Sequence, residues 1–305
     1  LIIIPAVIVA ICIGLSVMFG LLAGGQADID AYLAKLRQSG GAGRMAFDIQ
    51  DPRYKDRSLA AYNVATMIPT IDDPAERQRI SDELVSICRS HVGHDEHLLQ
   101  SYLLLAIGQL GGNGGMDAIL EQLDASHPTV RAAAVQALLA WPKPDEAHRT
   151  IEPLIGVLDD TDAMVVAMAA AALGALAPEA DRDQVVPALH TVLARTGADM
   201  RDAVWNAAVA LARQGDPKGA SIVANVLFDR EALSKLRVAA NTGADPQRGI
   251  NAAEQDRVIL STLLATGEMT DERVWDKISQ LAEHDPNPRV RTEAQSALDR
   301  RSADQ

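Results

Sequence analysis

The feature that most constrains this chain is a repeat of thirty-five residues in its middle. Leu123 to Trp141 reads LDASHPTVRAAAVQALLAW, Leu158 to Leu176 reads LDDTDAMVVAMAAAALGAL, and Leu193 to Leu211 reads LARTGADMRDAVWNAAVAL. The three align without a gap, so Val130, Val165 and Met200 share one register and Ala137, Ala172 and Ala207 another. A fixed period between about 20 and 50 residues marks a repeat architecture. Each unit reads as a helical hairpin whose apolar face is too wide to bury alone, so neighbours must stack to close it. Alanine at the shared positions lets adjacent helices approach closely, and proline or glycine at the turns stops one helix and starts the next.

The register extends in both directions. Leu99, Ala106 and Leu110 fall on Val130, Ala137 and Trp141, and Met116, Ile119 and Leu123 fall on Ile151, Leu154 and Leu158. Arg57, Ala60 and Val64 repeat Arg131, Ala134 and Leu138, which starts the array at Asp51, and Pro74 to Cys88 reads as an amphipathic helix. Beyond Gln214 the pattern loosens. An irregular insertion at about 228–270 follows, with a polar loop from Asn241 and a helix from about Ala253 to Thr266; order returns at Val274 and at DPNPRVRTEAQSAL from Asp285. With only 3% aromatic residues the composition suits helices packed on small side chains better than strands. The fold class expected is all-α, an α-solenoid of stacked hairpins over residues 51–300 with a polar tail at 301–305. Trp141, Trp205 and Trp275 are expected between helices.

The stretch Asp124–Leu138 (DxxxPxVRxxAxxAL), echoed at Asp285–Leu298, resembles HEAT repeats, including the bacterial lyase-type variety. That resemblance implies a polar ladder of turn aspartates and helix-opening arginines, here Asp124, Asp159, Asp285, Arg131, Arg201 and Arg291. Val166 and Ala194 interrupt it. It implies little about activity, because function belongs to sites and not to folds. Deoxyhypusine hydroxylase has a similar architecture but holds iron with His-Glu pairs, and this chain contains no His-Glu dipeptide. A phycobilin-lyase site cannot be read from the motif.

Residues 1–24 are of another kind. Leu1 to Ala23 carries no charged side chain, and about 20 apolar residues suffice to span a bilayer core. The length favours a retained transmembrane helix over a cleaved signal. Ala6, Ala10 and Gly14, then Ser16, Gly20 and Gly24, place small residues four apart, a spacing that lets helices associate in lipid. Residues 25–50 read as a juxtamembrane helix (Asp28–Gln38) followed by a linker. The array is expected outside the cytoplasm, and the partners expected are other proteins, integral membrane subunits among them.

The formal charge of −13 tells against nucleic acid, whose phosphates demand a concentrated basic face. The one arrangement with metal-ligand chemistry is His91, His94 and His97 (HVGHDEH), since closely spaced imidazoles and carboxylates can converge on zinc. Gly93 breaks the helix there, so an inter-helix turn rich in histidine is the plainer reading. No nucleophile elbow, HExxH or P-loop occurs, and no cofactor or small-molecule substrate is implied. Within the insertion, Asn241, Asp245, Gln247, Arg248 and Asn251 are candidates for partner binding, because long loops breaking a regular array often carry recognition. The function expected is a non-enzymatic, membrane-anchored scaffold, an accessory or assembly subunit; the alternative is a metal protein or enzyme built on the three histidines.

Overall fold

The computed structural model describes residues 29–37, 52–90, 96–195, 197, 199–236 and 250–303. Among these residues every regular element is helical. They fall into two compact units, one ending at Pro153 and the other beginning at Leu154.

In the first unit the helices are α1 (Ile29–Leu36), α2 (Pro52–Met67), α3 (Pro74–Ser90), α4 (His97–Leu110), α5 (Gly115–Leu120) and α6 (Pro128–Leu139). Helices α2, α4 and α6 are the second members of successive hairpins and lie side by side. Their core stripe is the one the repeat marked: Val64, Leu99, Leu103, Ala106, Val130, Ala134 and Ala137 are all buried. Helix α4 stops at Gly111, whose φ of 66° is left-handed. Glycine takes that conformation without a side-chain penalty. Helix α6 starts on Pro128, with the His127 Nδ1 accepting from the Thr129 amide. The helix that the sequence set apart as juxtamembrane packs on this stack, with Leu33 and Leu36 buried and the Leu36 carbonyl accepting from Arg57 at 3.3 Å.

The second unit holds α8 (Ala163–Leu176), α9 (Arg182–Leu193), α10 (Arg201–Arg213) and α11 (Pro217–Ile222), with α7 (His148–Val157) running across the division at Pro153. Helices α12 (Arg230–Ser234), α13 (Ala252–Leu263), α14 (Glu272–His284) and α15 (Pro288–Ala303) complete it. Asp162 caps α8 by accepting from the Met164 and Val165 amides, as its turn sequence predicts.

Both units use one device where second helices cross. A Cβ built on Gly108 of α4 would lie 2.5 Å from the Ala137 carbonyl oxygen of α6. A Cβ on Gly174 of α8 would lie 2.7 Å from the Ala210 Cβ of α10. Only glycine opposite alanine allows approaches this close. Beside the second crossing, the buried Asn206 amide donates to the Ala167 carbonyl at 2.9 Å, tying α10 to α8.

Trp205 and Trp275 are buried, but Trp141 is half-buried at a helix end, donating to Glu146 and lying under the Lys143 ammonium. Its ring lies against Gly115 at the start of α5, where an added Cβ would come within 3.2 Å of it and 3.0 Å of Ile107 of α4. Two of the expected ladder's arginines bond backbone carbonyls. Arg131 donates to the carbonyls of Ala125 and Ser126, and Arg291 to those of Asp285 and Pro286. Each guanidinium thus closes the turn that precedes its own helix, and the Asp285 carboxylate is taken by Arg230 instead.

Candidate functional site: the exposed faces of the second helices

Side chains three or four apart share a helix face, so a helix can bury one apolar row and show another to solvent. In α4, Leu99, Leu103, Ala106 and Leu110 point inward, and Leu98, Tyr102 and Leu105 form a second row. Leu98 is 39% exposed; on α2 beside it Leu59 is 57% exposed. The Tyr62 and Tyr102 rings meet edge to face at 5.9 Å and bridge the two helices. The result is a leucine and tyrosine surface on the first unit. Amphipathic aromatic rings supply large contact area at low entropic cost, which is why tyrosine is enriched at protein interfaces.

The second unit carries its own version. Helix α8 (AMVVAMAAAALGAL) has no polar side chain anywhere. Met164 is 61% exposed, Ala171 half-buried and Ala175 exposed on one face of it.

The irregular region is built differently. Helix α11 runs into a π-helical turn, Val223–Leu227, in which the Phe228 amide reaches back five residues to Val223 at 2.9 Å. Arg230, one residue further than Asp229, then becomes a hub. Its guanidinium forks onto Asp285 at 2.8 and 2.7 Å and reaches Asp256 at 2.6 Å, while Asn287 donates to the other Asp256 oxygen at 2.6 Å. The Asp285 hydrogen bond, against the cost of burial and with Asp256 adding to it, raises the Arg230 pKa above its ordinary value. The Ile250 amide donates to the Leu236 carbonyl at 3.1 Å. A cleft between Trp205 and Asn206 of α10, Leu227, and Val258, Ser261 and Thr262 of α13 has a volume of about 20 Å³. That is room for a single water and not for a substrate.

The residues singled out from sequence fare unevenly. Asn251 caps α13 in a reciprocal box with Glu254, so its side chain is committed to the backbone. Asn241, Asp245, Gln247 and Arg248 lie outside the described residues, as do His91, His94 and the small residues Ala6, Ala10, Gly14, Ser16, Gly20 and Gly24. The transmembrane segment at 1–24 lies outside them too; no helix among the described residues is long and apolar enough to cross a membrane. His97 stacks face to face on His127 with ring centroids 4.0 Å apart. Burial, then the neighbouring His97 and Arg131, hold His127 below the ordinary histidine pKa, which suits its role as a hydrogen-bond acceptor. No group of three potential metal ligands occurs among the described residues. Burial pushes the Cys88 thiol up to about 11, far from a reactive thiolate.

The sequence reading missed Leu59, Leu98 and Met164. Their signal was present: apolar residues next to the core stripe of a second helix, where a surface position would carry a charge.

Residues 116–205 match the family model for HEAT repeats. The chain carries HEAT repeats there. The matched span runs from within α5 through α9 to the start of α10, and so holds the first two copies of the gapless register whole and the third as far as Trp205. No curated protein matches the chain. Among solved structures, the complex of CpcE and CpcF of phycocyanin lyase from Nostoc sp. PCC7120 is similar at 15% identity, over 92% of this chain and 96% of that one, with a TM-score of 0.49. A designed armadillo repeat protein is similar at 16% identity, over 90% of this chain and 100% of that one, with a TM-score of 0.42. An engineered protein is similar at 16% identity over 91% and 98% of the two chains, with a TM-score of 0.41. Likenesses of this size say nothing of activity or partner.

Proposed function

We propose that this chain is a non-enzymatic scaffold that docks other proteins on the exposed faces of its second helices. The observation that carries the reading is the Leu59, Tyr62, Leu98 and Tyr102 surface, two exposed leucines beside a half-buried tyrosine pair on neighbouring helices. Contiguous exposed apolar side chains on a soluble face mark interaction sites more often than chance surface composition. Repeat arrays offer such faces in series, and the helices that carry them are held rigid by the stack beneath.

The apolar run at 1–24 supports a second part of the proposal: the array is anchored to a membrane by one span, lies outside the cytoplasm, and serves as an accessory or assembly subunit of a membrane protein complex. The small-residue spacing at Ala6, Ala10 and Gly14 gives that span a means of packing against integral partner helices.

The test is purification from native membranes in mild detergent, with the full chain, with the chain lacking residues 1–24, and with a Leu59→Asp, Leu98→Asp double variant. A stoichiometric partner should accompany the full chain and be lost from the double variant. Recovery of the full chain as a lone species would overturn the scaffold reading, and membrane extraction unchanged by removal of residues 1–24 would overturn the anchor.

A further inference from the structure

We infer that the exposed face of α8, together with the acidic edge at its start, receives a basic amphipathic helix of a partner protein. This deepens the scaffold reading and rests on it, because it names the chemistry of an occupant for one of the second-helix faces.

Two independent features of the second unit meet here. The first is the face itself: Met164 stands 61% exposed in the first turn of a helix with no polar side chain, followed along the same side by Met168, 7% exposed, and by Ala171 and Ala175. An exposed, flexible and polarizable methionine at the head of such a row adapts to large apolar side chains pressed onto it. The second is charge. Helices α8 and α10 lie side by side, with Asn206 bonded to Ala167 and Gly174 against Ala210, so their starts adjoin. That edge carries Asp159, Asp160, Asp162, Asp199 and Asp202 against only Arg195 and Arg201.

The two guanidiniums are already engaged. Arg195 bonds Asp159 at 3.0 Å and Arg201 lies over the Trp205 ring at 4.9 Å. Asp162 is used as the helix cap, but Asp199 is exposed and the Asp159 side chain is 86% exposed even with its partner. At the far end of α8, Glu179, Arg182 and Asp183 are exposed, so the acidic excess lies at the start of the helix. An apolar residue row headed by carboxylates complements a helix with apolar residues on one side and Lys/Arg on the other. It is a poor fit for a second copy of this chain, whose formal charge is −13, and for an anionic lipid surface.

The test uses the full chain in mild detergent and two labelled synthetic peptides patterned as amphipathic helices, one of leucine and lysine and one of leucine and glutamate, read by fluorescence anisotropy. The leucine–lysine peptide should bind, weaken as salt rises, and bind at least about tenfold more tightly than its glutamate counterpart. Met164→Lys should cost that binding about tenfold or more, and the pair Asp159→Asn with Asp199→Asn a smaller factor. Both changes are at exposed positions that cap nothing, and an unchanged denaturation midpoint confirms intact folding. Leu59→Lys in the other unit should leave the binding unaltered.

Equal binding of both peptides would overturn the charge assignment, and unchanged binding to Met164→Lys would overturn the location. Failure of both peptides to bind would overturn the inference as a whole. None of these outcomes touches the scaffold reading, which stands or falls on co-purification and on the Leu59 and Leu98 variants.

Discussion

The crossing of α4 with α6 and the corner around Arg230 are stabilised by opposite means. At the crossing nothing is charged: Gly108 faces the Ala137 backbone, and the helices sit as close as missing side chains allow. Packing of this kind gains many small dispersion contacts and tolerates no added volume. At the corner the π-helical turn shifts the register, and three elements distant in sequence are joined by one guanidinium forked onto a nearly inaccessible Asp285. The difference teaches where the array is replaceable. A hairpin built on alanine and glycine repeats easily, because each copy needs only the same small residues. The irregular corner is a single device whose parts have no counterpart in other repeats.

The comparison can be broken first at Arg230. Arg230→Ala leaves the Asp285 side chain, 1% exposed, without its ion partner, and a stranded buried charge costs about 3–5 kcal/mol. Urea denaturation should show that loss. Arg230→Lys should recover only part of it, since an ammonium cannot reproduce the two-pronged contact. A near-neutral Arg230→Ala would mean that the apolar cluster around Leu233, Ile259 and Trp275 holds the corner alone.

Next come the crossings. Gly108→Val and Gly174→Val each force a side chain into space already filled by the opposing helix, at a cost of about 1–3 kcal/mol or more. The Gly174 substitution should be the milder, because it meets the Ala210 Cβ and Cα, whereas Gly108 meets a carbonyl oxygen as well. Unfolding monitored by circular dichroism decides the order. If both are silent, the close approach is not what holds the second helices together.

Caps distinguish the two regions on a finer scale. Asp162→Ala in the regular array and Asn251→Ala beside the insertion each remove an N-terminal acceptor, for about 1 kcal/mol apiece. Asn251 also loses its reciprocal Glu254 contact, so hydrogen exchange in α13 should rise more than in α8.

The smallest expected effect is a pH dependence. Burial alone would raise the Asp216 carboxyl, but hydrogen bonds from the Gly219 amide, the His190 ring and the Lys218 amide outweigh it and hold the group below the ordinary aspartate value. A carboxyl depressed in the folded state contributes stability that is present above the unfolded value, about 3.9, and is lost as pH falls through the folded one. Asp216→Asn keeps a competent cap but removes the charge, so it should lower stability slightly at neutrality and converge with the unsubstituted protein below about pH 4, which flattens the acid limb of the stability curve.

Much of this architecture is legible in the sequence, and the rest is illegible for identifiable reasons. The thirty-five-residue register places the buried valines, leucines and alanines of α4, α6, α8 and α10, because the same contact recurs in each copy. Trp141 shares a register with Leu176 and Leu211 and lies against Gly115 at the start of α5, but it remains half-buried because it stands beyond the end of its helix. The pairing of Arg230 with Asp285 spans fifty-five residues across a broken register, and no local pattern announces it. Asn251 looked like a recognition residue from its loop, although an Asn three residues before Glu254 is also the signature of a capping box. The exposed Leu59 and Leu98 were hidden by the strength of the core stripe beside them.

The central claim is that partners are held on the second-helix faces. A photo-crosslinking amino acid placed singly at Leu59, Leu98 and Met164, and at Arg79 on the first helix α3 for contrast, tests it in native membranes. The account predicts that the second-helix positions each yield a discrete crosslinked protein, identifiable by mass spectrometry, and that position 79 yields none. Crosslinks from position 79 equal to those from positions 59, 98 and 164, or none from any second-helix position, would contradict it.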